Sequence, residues 1–239
     1  MRPPKLHSVQ FSSHVLHHRS TWSLDTLSAP ELLALVEAAG RLKQAARAGL
    51  ALAPLRGKLL ALVGNGDPDG LMRDAATELG AKVTSLHAEG APSLNRSSRL
   101  LGRLYDAVDC AAPVSPKEVE LEAGIPVFNG LGGDGHPARA LAALAAIHEL
   151  ADQPLRDLRL TLIGDADSPC GQALAKAAAR IGFGLRNVPR PEVAEGADFV
   201  LDIRDTARWT LTDRHGRVHN GERDDRRFVL QALLVSTLT

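Results

Sequence analysis

The chain has 239 residues, a length that accommodates one or two domains of roughly 150 residues each. Hydrophobic residues make up 44% of it and aromatic residues only 3%, which is typical of helices rich in small apolar residues packed on a sheet. The 28 Lys and Arg residues balance the 28 Asp and Glu residues, and this neutrality argues against a nucleic-acid-binding protein, which usually carries a basic excess.

The sequence also offers no sign of a membrane segment or of a disulfide framework. No apolar run approaches the roughly 20 residues of a membrane-spanning helix, and the N-terminal segment lacks the apolar core of a signal peptide. Two cysteines, Cys110 and Cys170, fit a reducing compartment. We therefore expect a cytoplasmic protein with neither a membrane nor a nucleic acid as partner.

The first part of the chain predicts an alternation of helices and strands. Apolar residues recur at helical spacing over 26–48, where Ser28 is the expected N-cap and Glu31, three residues on, completes a capping box. Strands are predicted at 58–63, 82–86, 107–111 and 125–128, and helices at 71–79, 95–104, 116–123 and 138–150, with a loop over 90–93.

A second and shorter α/β unit follows Pro154, which lies in the predicted link. Strands are predicted at 159–163, 184–188 and 199–203, with a helix ending near 181, a hairpin over 209–219 and a closing helix over 224–234. This alternation indicates parallel sheets with helices on both faces. We predict an α/β fold with two domains: residues 1–152 together with the closing segment 223–239, and residues 153–222.

Several stretches, in chain order, resemble the aspartate/ornithine carbamoyltransferase family, and ornithine carbamoyltransferase in particular. They are SLDTLSAPELLALVEAAGRLK, GKLLALV with AATELGAKV, IPVFNGLGGDGHPARALAAL, LRDLRLTLIGDADS with LAKAAARIGFGLR, and QALLVSTL. The resemblance implies two doubly wound, Rossmann-like domains of the carbamoyltransferase type, the second of them shortened. It also implies a homotrimer formed through the first domain and a small-molecule cleft between the domains.

The loop at 64–70 departs from the family at its phosphate site. The resemblance implies a Ser-x-Arg-Thr pattern here, at a helix N-terminus where backbone N–H groups and arginines hold the phosphate. This chain has Asn65, Gly66, Asp67, Pro68 and Asp69 instead, with no Arg, Ser or Thr. Each lost hydrogen bond to a charged group costs about 1.5–3 kcal/mol, and two carboxylates repel an anion, so a phosphate is disfavoured.

Three interpretations of Asp67 and Asp69 are open at this level. The first is helix capping within a turn, for which Asp is well suited. The second is that one carboxylate occupies the vacated anion site as a built-in substitute for phosphate. The third is a metal site, but no His or Cys partner lies nearby in the sequence. We expect no metal, and we attribute His14, His17 and His18 to a frayed N-terminal segment.

The His136-Pro137 pair is the second place where the family's chemistry would reside. The resemblance implies that His136 contacts the carbamoyl oxygen, and Arg139 replaces the family's Gln that orients the carbamoyl group. Without the resemblance, a His before Pro at a helix start is typically a capping or packed residue. Because Arg139 would bring positive charge to an anion, we take both residues as catalytic candidates of a vestigial site.

The third loop follows the strand predicted at 159–163 and corresponds to the family's amino-acid site. Asp165 and Asp167 are its candidate substrate-binding residues, and the Asn of ornithine-binding members falls at Gly171. A full G-x-G-x-x-G pattern is absent, so no nucleotide cofactor is expected. The neighbour-supplied loop of the family is shortened here, with Arg96 and Arg99 close by, and its Ser-Met-Gly and His-Cys-Leu-Pro loops have no counterpart.

Three functions are compatible with these features. The sequence favours a carbamoyltransferase homologue that has lost carbamoyl transfer and works as a non-catalytic binding, regulatory or assembly protein, because three sets of ligand contacts are lost together. The alternative is a divergent active carbamoyltransferase that uses His136, Arg139 and either Arg73 or Arg96 in new roles. The third is a small-molecule binder, or an enzyme of other chemistry, in the interdomain cleft.

Overall fold

Two β-sheets form the framework of the protein in a computed structural model, which describes residues 24–86, 91–111, 116–133, 136–188, 196–205 and 208–239. The described strands are β1 (Leu59–Val63), β2 (Lys82–Leu86), β3 (Ala107–Cys110), β4 (Val127–Phe128), β5 (Arg159–Ile163), β6 (Gly184–Val188), β7 (Phe199–Asp202), β8 (Thr210–Asp213) and β9 (Val218–His219). The first sheet has the order β2-β1-β3-β4 and the second the order β6-β5-β7-β8-β9.

Helices cover both sheets. The described α-helices are α1 (Ala29–Arg47), α2 (Leu71–Glu78), α3 (Ala91–Leu104), α4 (Pro116–Ala123), α5 (Ala138–Leu150), α6 (Pro169–Ile181) and α7 (Glu222–Leu238), with 3-10 turns at Leu24–Thr26 and Leu155–Asp157. The strand and helix alternation predicted from the sequence is confirmed, and so is the α/β class.

All four strands of the first sheet are parallel. The chain runs from β1 to β2 on one side and then returns to place β3 on the other side of β1. Between β1 and β3 the order reverses, and in open parallel sheets ligands bind at the carboxyl ends of the strands next to such a point. The loops that follow β1 and β4 lie at this edge.

The second sheet repeats the arrangement with a hairpin added to it. Strands β5, β6 and β7 are parallel. Strand β8 pairs with β7 in antiparallel orientation, and β9 pairs with β8 in the same way at the edge of the sheet. The turn of the hairpin closes with the Gly216 N–H donating to the Asp213 carbonyl at 2.9 Å, and Gly216 has a φ of 78°. The predicted hairpin is therefore confirmed as an antiparallel extension of a parallel sheet.

The faces of the first sheet are covered by different helices. Alternate residues of β1, Ala61 and Val63, pack with Leu101 of α3 and Val119 of α4. The other face belongs to a larger core that contains α1, α2, α5 and α7. The closing helix α7 packs against α1, α2 and α5, so it returns to the first sheet.

Several helix limits differ from the prediction, for local reasons. Helix α1 starts at Ala29 after the N-cap Ser28, whose N–H donates to the Glu31 carboxylate at 2.7 Å, as a capping box requires. Helix α3 starts at Ala91, so the loop predicted over 90–93 is wrong for its helical part. Pro92 is tolerated because the first turn of a helix needs no backbone N–H.

Candidate functional site

The Asp67 side chain lies at the N-terminus of α2. Its Oδ1 accepts the Met72 N–H at 2.8 Å and its Oδ2 accepts the Arg73 N–H at 3.0 Å. Gly70, the residue that precedes the helix, has no side chain with which to cap it. The first turn of a helix binds anions because its N–H groups have no partner within the helix. Here the carboxylate of the chain itself takes two of those donors.

The other residues predicted in this loop have different roles. Asp69 is exposed, and its backbone carbonyl accepts a hydrogen bond from Arg223 at 3.1 Å. Asn65 is also exposed. Gly66 packs so tightly that an added Cβ would lie 2.1 Å from the Ala111 Cβ. Of the three interpretations of this loop, helix capping is the one that the structure shows, and the capping residue is Asp67.

Asp109, the next-to-last residue of β3, is a site residue that sequence reasoning missed. Its buried carboxylate accepts the Gly130 N–H at 2.6 Å and the Leu131 N–H at 3.2 Å, so it holds the loop that follows β4. Burial raises the pKa of Asp109 to about 7, and the charge of nearby Asp67 adds to the effect. The available signal was a lone carboxylate within an apolar strand, a position that is costly unless the group is hydrogen-bonded.

His136 is buried at the start of α5. Its Nδ1 accepts the Ala138 N–H at 3.0 Å, which assigns the ring proton to Nε2. Among the described residues Nε2 has no hydrogen-bond partner. Burial lowers the pKa of His136 to about 4, and the positive charge of Arg226 lowers it further. At neutral pH the ring is therefore an uncharged donor.

Arg139 forms a buried ion pair with Glu222, the first residue of α7. The Arg139 Nε donates to Glu222 Oε1 at 2.9 Å, and both side chains are largely withdrawn from solvent. The second oxygen of Glu222 accepts the Trp209 N–H at 2.9 Å. The cation that would compensate for the missing phosphate contacts thus already has a carboxylate partner. Arg139 could be recognised in the sequence from its place after the His136-Pro137 pair, but nothing in the sequence indicated that it pairs with Glu222.

Arg226 is a second buried arginine in this region, and the sequence did not single it out. One of its guanidinium nitrogens donates to the Gly132 carbonyl at 3.0 Å. An added Cβ at Gly132 would lie 2.6 Å from Asp67 Oδ1, so Asp67 and Arg226 both reach Gly132. Within the run RDDRR a buried arginine looks like any residue of a solvated helix face, so the sequence carries no signal for it.

The third predicted loop is closed by its own hydrogen bonds. Asp165 Oδ1 accepts the Asp167 N–H at 2.9 Å, and Ser168 caps α6 by accepting the Gly171 N–H at 3.1 Å. Asp165 and Asp167 are exposed. A Cβ at Gly171 would lie 2.6 Å from the Ala166 carbonyl oxygen, so this loop conformation has no room for a side chain there.

Cys170 follows this loop at the start of α6 and lies near the arginines and the glutamate described above. It is buried, and Arg139, Glu222 and Arg226 all lie close enough to influence it electrostatically. Burial raises the pKa of the Cys170 thiol to about 11, so it is not a thiolate nucleophile at neutral pH.

The other arginines that the sequence offered as candidates are Arg73, Arg96 and Arg99. The described ones bond residues outside this site. Arg73 bonds the Ser85 hydroxyl and the Val83 carbonyl on β2. Arg99 pairs with Glu122 on the surface at 2.8 Å. The side chain of Arg96 and the three N-terminal histidines lie outside the described residues.

The described part of the chain has neither a cluster of metal ligands nor a membrane-spanning helix. No three His, Cys, Asp or Glu side chains there gather as metal ligands. No described helix is both long and apolar enough to cross a membrane.

Sequence comparison relates the chain to ornithine carbamoyltransferases, although no family model matches it. The catabolic ornithine carbamoyltransferase of Burkholderia mallei is 32% identical over 213 residues, which are 83% of this chain and 63% of that protein. The ornithine carbamoyltransferase of Cutibacterium acnes is 32% identical over 181 residues, or 72% of this chain and 54% of that protein. The chain thus spans less than two thirds of the length of these relatives.

Structural comparison gives the same fold. Ligand-free aspartate transcarbamoylase from Trypanosoma cruzi superimposes with a TM-score of 0.71 at 17% identity, over 94% of this chain and 97% of that one. Ornithine carbamoyltransferase from Pyrococcus furiosus gives a TM-score of 0.69 at 18% identity, over 93% and 98%. The sequence relatives, the order of the motifs and the two-sheet fold agree, and the chain belongs to the aspartate/ornithine carbamoyltransferase family.

Proposed function

We propose that this chain has lost carbamoyl transfer and acts as a non-catalytic binding, regulatory or assembly protein. The observation that carries the proposal is the Asp67 carboxylate, which takes the Met72 and Arg73 N–H groups at the N-terminus of α2. A phosphate entering there would have to displace a covalently attached anion and then tolerate its charge. An attached group needs no association entropy, so it outcompetes a dissolved one.

The other requirements of the reaction point in the same direction. Carbamoyl transfer needs a held phosphate, a polarised carbonyl and an oriented amine. Arg139 is paired with Glu222, and the loop around Gly171 excludes the side chain that would orient the amine. Of these three requirements, only the polarised carbonyl still has a candidate group, the N–H donor at His136 Nε2. A protein that contacts the carbonyl but neither the phosphate nor the amine can stabilise the transition state only a little more than the bound substrates.

The retained donor favours the second candidate, a divergent enzyme that transfers a carbamoyl group from carbamoyl phosphate to an amino acid or another amine. His136 is neutral and buried, and it keeps a free N–H for a carbonyl oxygen among the described residues. Such an enzyme would need another cation for the leaving phosphate.

The organisation of the protein is part of the proposal. We assign one domain to residues 1–152 with the closing segment 223–239, and a smaller one to 153–222. The return of α7 to the first sheet supports that division. A homotrimer, a small-molecule ligand in the cleft between the domains and a cytoplasmic location complete the proposal, on the strength of the family.

A direct assay tests the loss of activity. The purified chain, given carbamoyl phosphate with ornithine or with aspartate, is expected to form neither citrulline nor carbamoyl-aspartate. Turnover that disappears in the His136→Ala variant would instead support the divergent enzyme.

A further inference from the structure

A small cavity lies between the end of α5, the link that follows it and the turn between β8 and β9. Its volume is about 110 Å³. Because α5 belongs to the first proposed domain and the turn to the second, the cavity touches both. We call it the link pocket, and its defining residues are Leu150, Asp152, Leu158, Asp198, Phe199 and Arg214.

The link pocket is separate from the candidate site described above. The loop with Asp165 follows β5 and lies at the carboxyl ends of the parallel strands. The link pocket lies at their amino ends, since Leu158 directly precedes β5 and Phe199 is the first residue of β7. Phe199 is paired with Asp213, the last residue of β8, and this antiparallel pairing brings the turn to the same edge.

The pocket has an apolar floor that limits the size of a ligand. Leu158 and Phe199 are buried, and Leu150 at the rim is partly exposed. An apolar cavity of about 150 Å³ holds a benzene ring, so about 110 Å³ accommodates roughly three or four carbon atoms. The floor therefore fits a small branched aliphatic group better than an aromatic one.

One wall of the pocket favours a cation. The Asp198 side chain is 15% exposed, and its Oδ2 accepts the Arg159 N–H at 2.8 Å. The Arg159 Nε lies 3.9 Å from Asp198, and among the described residues none donates a hydrogen bond to Oδ1. Helix α5 ends at Leu150, and its last carbonyl groups add negative partial charge to this wall. An ammonium group would satisfy the Asp198 carboxylate here.

The opposite wall favours an anion. The Arg214 side chain is half exposed, with Nη2 at 3.4 Å from Asp152 and Nε at 3.3 Å from Nε2 of His215. Both contacts are long, and an exposed ion pair contributes little stability. Nη1 of Arg214 has no hydrogen bond among the described residues. A guanidinium pairs well with a carboxylate through parallel N–H groups, so a ligand carboxylate would fit on this side.

These three features match the three groups of a free amino acid. A simple anion or cation would satisfy only one wall and would leave the other charge without a partner. We propose that the link pocket binds a free α-amino acid with a small branched aliphatic side chain, as in L-valine. The ammonium lies at Asp198, the carboxylate at Arg214 and the side chain on Leu158 and Phe199. A ligand with so few atoms binds in the millimolar range.

Thermal melting of the purified full chain with increasing L-valine tests the proposal, because a ligand that binds the folded state raises Tm. Stabilisation should saturate in the millimolar range. Two analogues each lack one charge: 3-methylbutanoate has no ammonium and isobutylamine has no carboxylate. Each forgoes a charge-assisted contact and should need a concentration at least about tenfold higher. D-valine should also be weaker, because three fixed contacts distinguish the enantiomers.

Substitutions in the pocket and beside it form a matched set. Asp198→Asn and Arg214→Gln remove the charges with little change in size and should weaken L-valine binding by about tenfold or more. Asp157→Asn and Arg156→Gln alter a nearby exposed pair, 3.7 Å apart, that does not line the pocket, so they should leave binding unchanged. Circular dichroism checks that every variant is folded. Because Arg214 lies on the surface, its variant keeps the test valid even if Asp198→Asn is unstable.

The proposal is overturned if L-valine gives no saturable stabilisation, if either analogue is as effective, or if Arg214→Gln binds L-valine like the wild type. Binding that Asp165→Asn abolishes and Arg214→Gln preserves would place the amino acid at the loop after β5 instead. None of these outcomes bears on the proposed loss of carbamoyl transfer, which the activity assay decides.

Discussion

The proposed loss of phosphate binding depends most directly on one residue, Asp67. Asp67 caps two N–H groups of α2, and replacing such a cap by Ala typically costs about 0.5–2 kcal/mol. We expect Asp67→Ala to lower the free energy of unfolding by about 1 kcal/mol in urea titrations. Asp69→Ala is the matched control, since Asp69 is exposed and contributes only its backbone carbonyl to Arg223. Equal effects of the two substitutions would contradict the assignment.

Asp109 and His136 predict opposite pH dependences of stability. The pKa of Asp109 is raised from 3.8 to about 7, so the folded state holds more protons than the unfolded state between these values and stability falls as pH rises. The pKa of His136 is lowered from 6.5 to about 4, so stability rises with pH across that window. Across its own window each group changes the free energy of unfolding, by about 4 kcal/mol for Asp109 and about 3 kcal/mol for His136. Between pH 4 and 6.5 the two effects largely cancel.

Two variants separate these slopes. Asp109→Asn should leave a stability that increases from pH 4 to 6.5, and His136→Gln should leave one that decreases from pH 4 to 7. Urea midpoints measured across this range provide the readout. If both variants follow the wild-type profile, the burial argument for these groups is wrong.

Among the elements, α7 connects most of the site. Its first turns contact Arg139 through Glu222, the loop after β1 through Arg223, and Gly132 through Arg226. Asp225 Oδ1 accepts a hydrogen bond from the Lys43 ammonium at 2.6 Å. Its other oxygen, Oδ2, is hydrogen-bonded to Nε2 of His219 on β9 at 2.7 Å. One helix therefore joins α1 and the first sheet to the edge hairpin of the second sheet.

The adjacent residues Asp224 and Asp225 allow a matched test of this connection. Removing one partner of a buried ion pair costs about 3–5 kcal/mol, whereas an exposed pair contributes at most about 1 kcal/mol. Asp225→Ala leaves the buried Lys43 with Glu149 as its one acidic partner among the described residues, so we expect a loss of about 3 kcal/mol in unfolding free energy. Asp224→Ala, which loses an exposed contact to Arg227, should change stability by less than about 1 kcal/mol.

The elements themselves were largely predictable, because periodicity and caps are local. Strand β2 and helices α4 and α5 match their predicted limits. Helix α7 was predicted over 224–234 but runs to Leu238, since Val235 and Thr237 are poor helix formers in isolation and are buried against the core. Tertiary packing thus extends the helix beyond its local signals.

The site could be predicted only where it depends on residues close together in the sequence. Asp67 was predicted because it is an acidic residue just before a predicted helix. The Arg139–Glu222 pair joins residues 83 positions apart, and the Arg226–Gly132 contact joins residues 94 apart. No periodicity or motif encodes such distant pairings in a single sequence.

At the scale of the whole molecule, the proposal makes a prediction about the oligomeric state. We expect sedimentation at low micromolar concentration to give the mass of the proposed trimer, because the proposed loss of carbamoyl transfer would not by itself remove a subunit interface. A monomer under those conditions would refute the proposed trimer.

The most direct test of the central claim is the thermal stability of the purified chain with millimolar carbamoyl phosphate. The wild type should not be stabilised, because Asp67 already occupies the N-terminus of α2. Asp67→Ser, which removes the charge and shortens the side chain, should gain stabilisation by the same ligand. Stabilisation of the wild type that His136→Ala abolishes would contradict the account and show a working carbamoyl phosphate site.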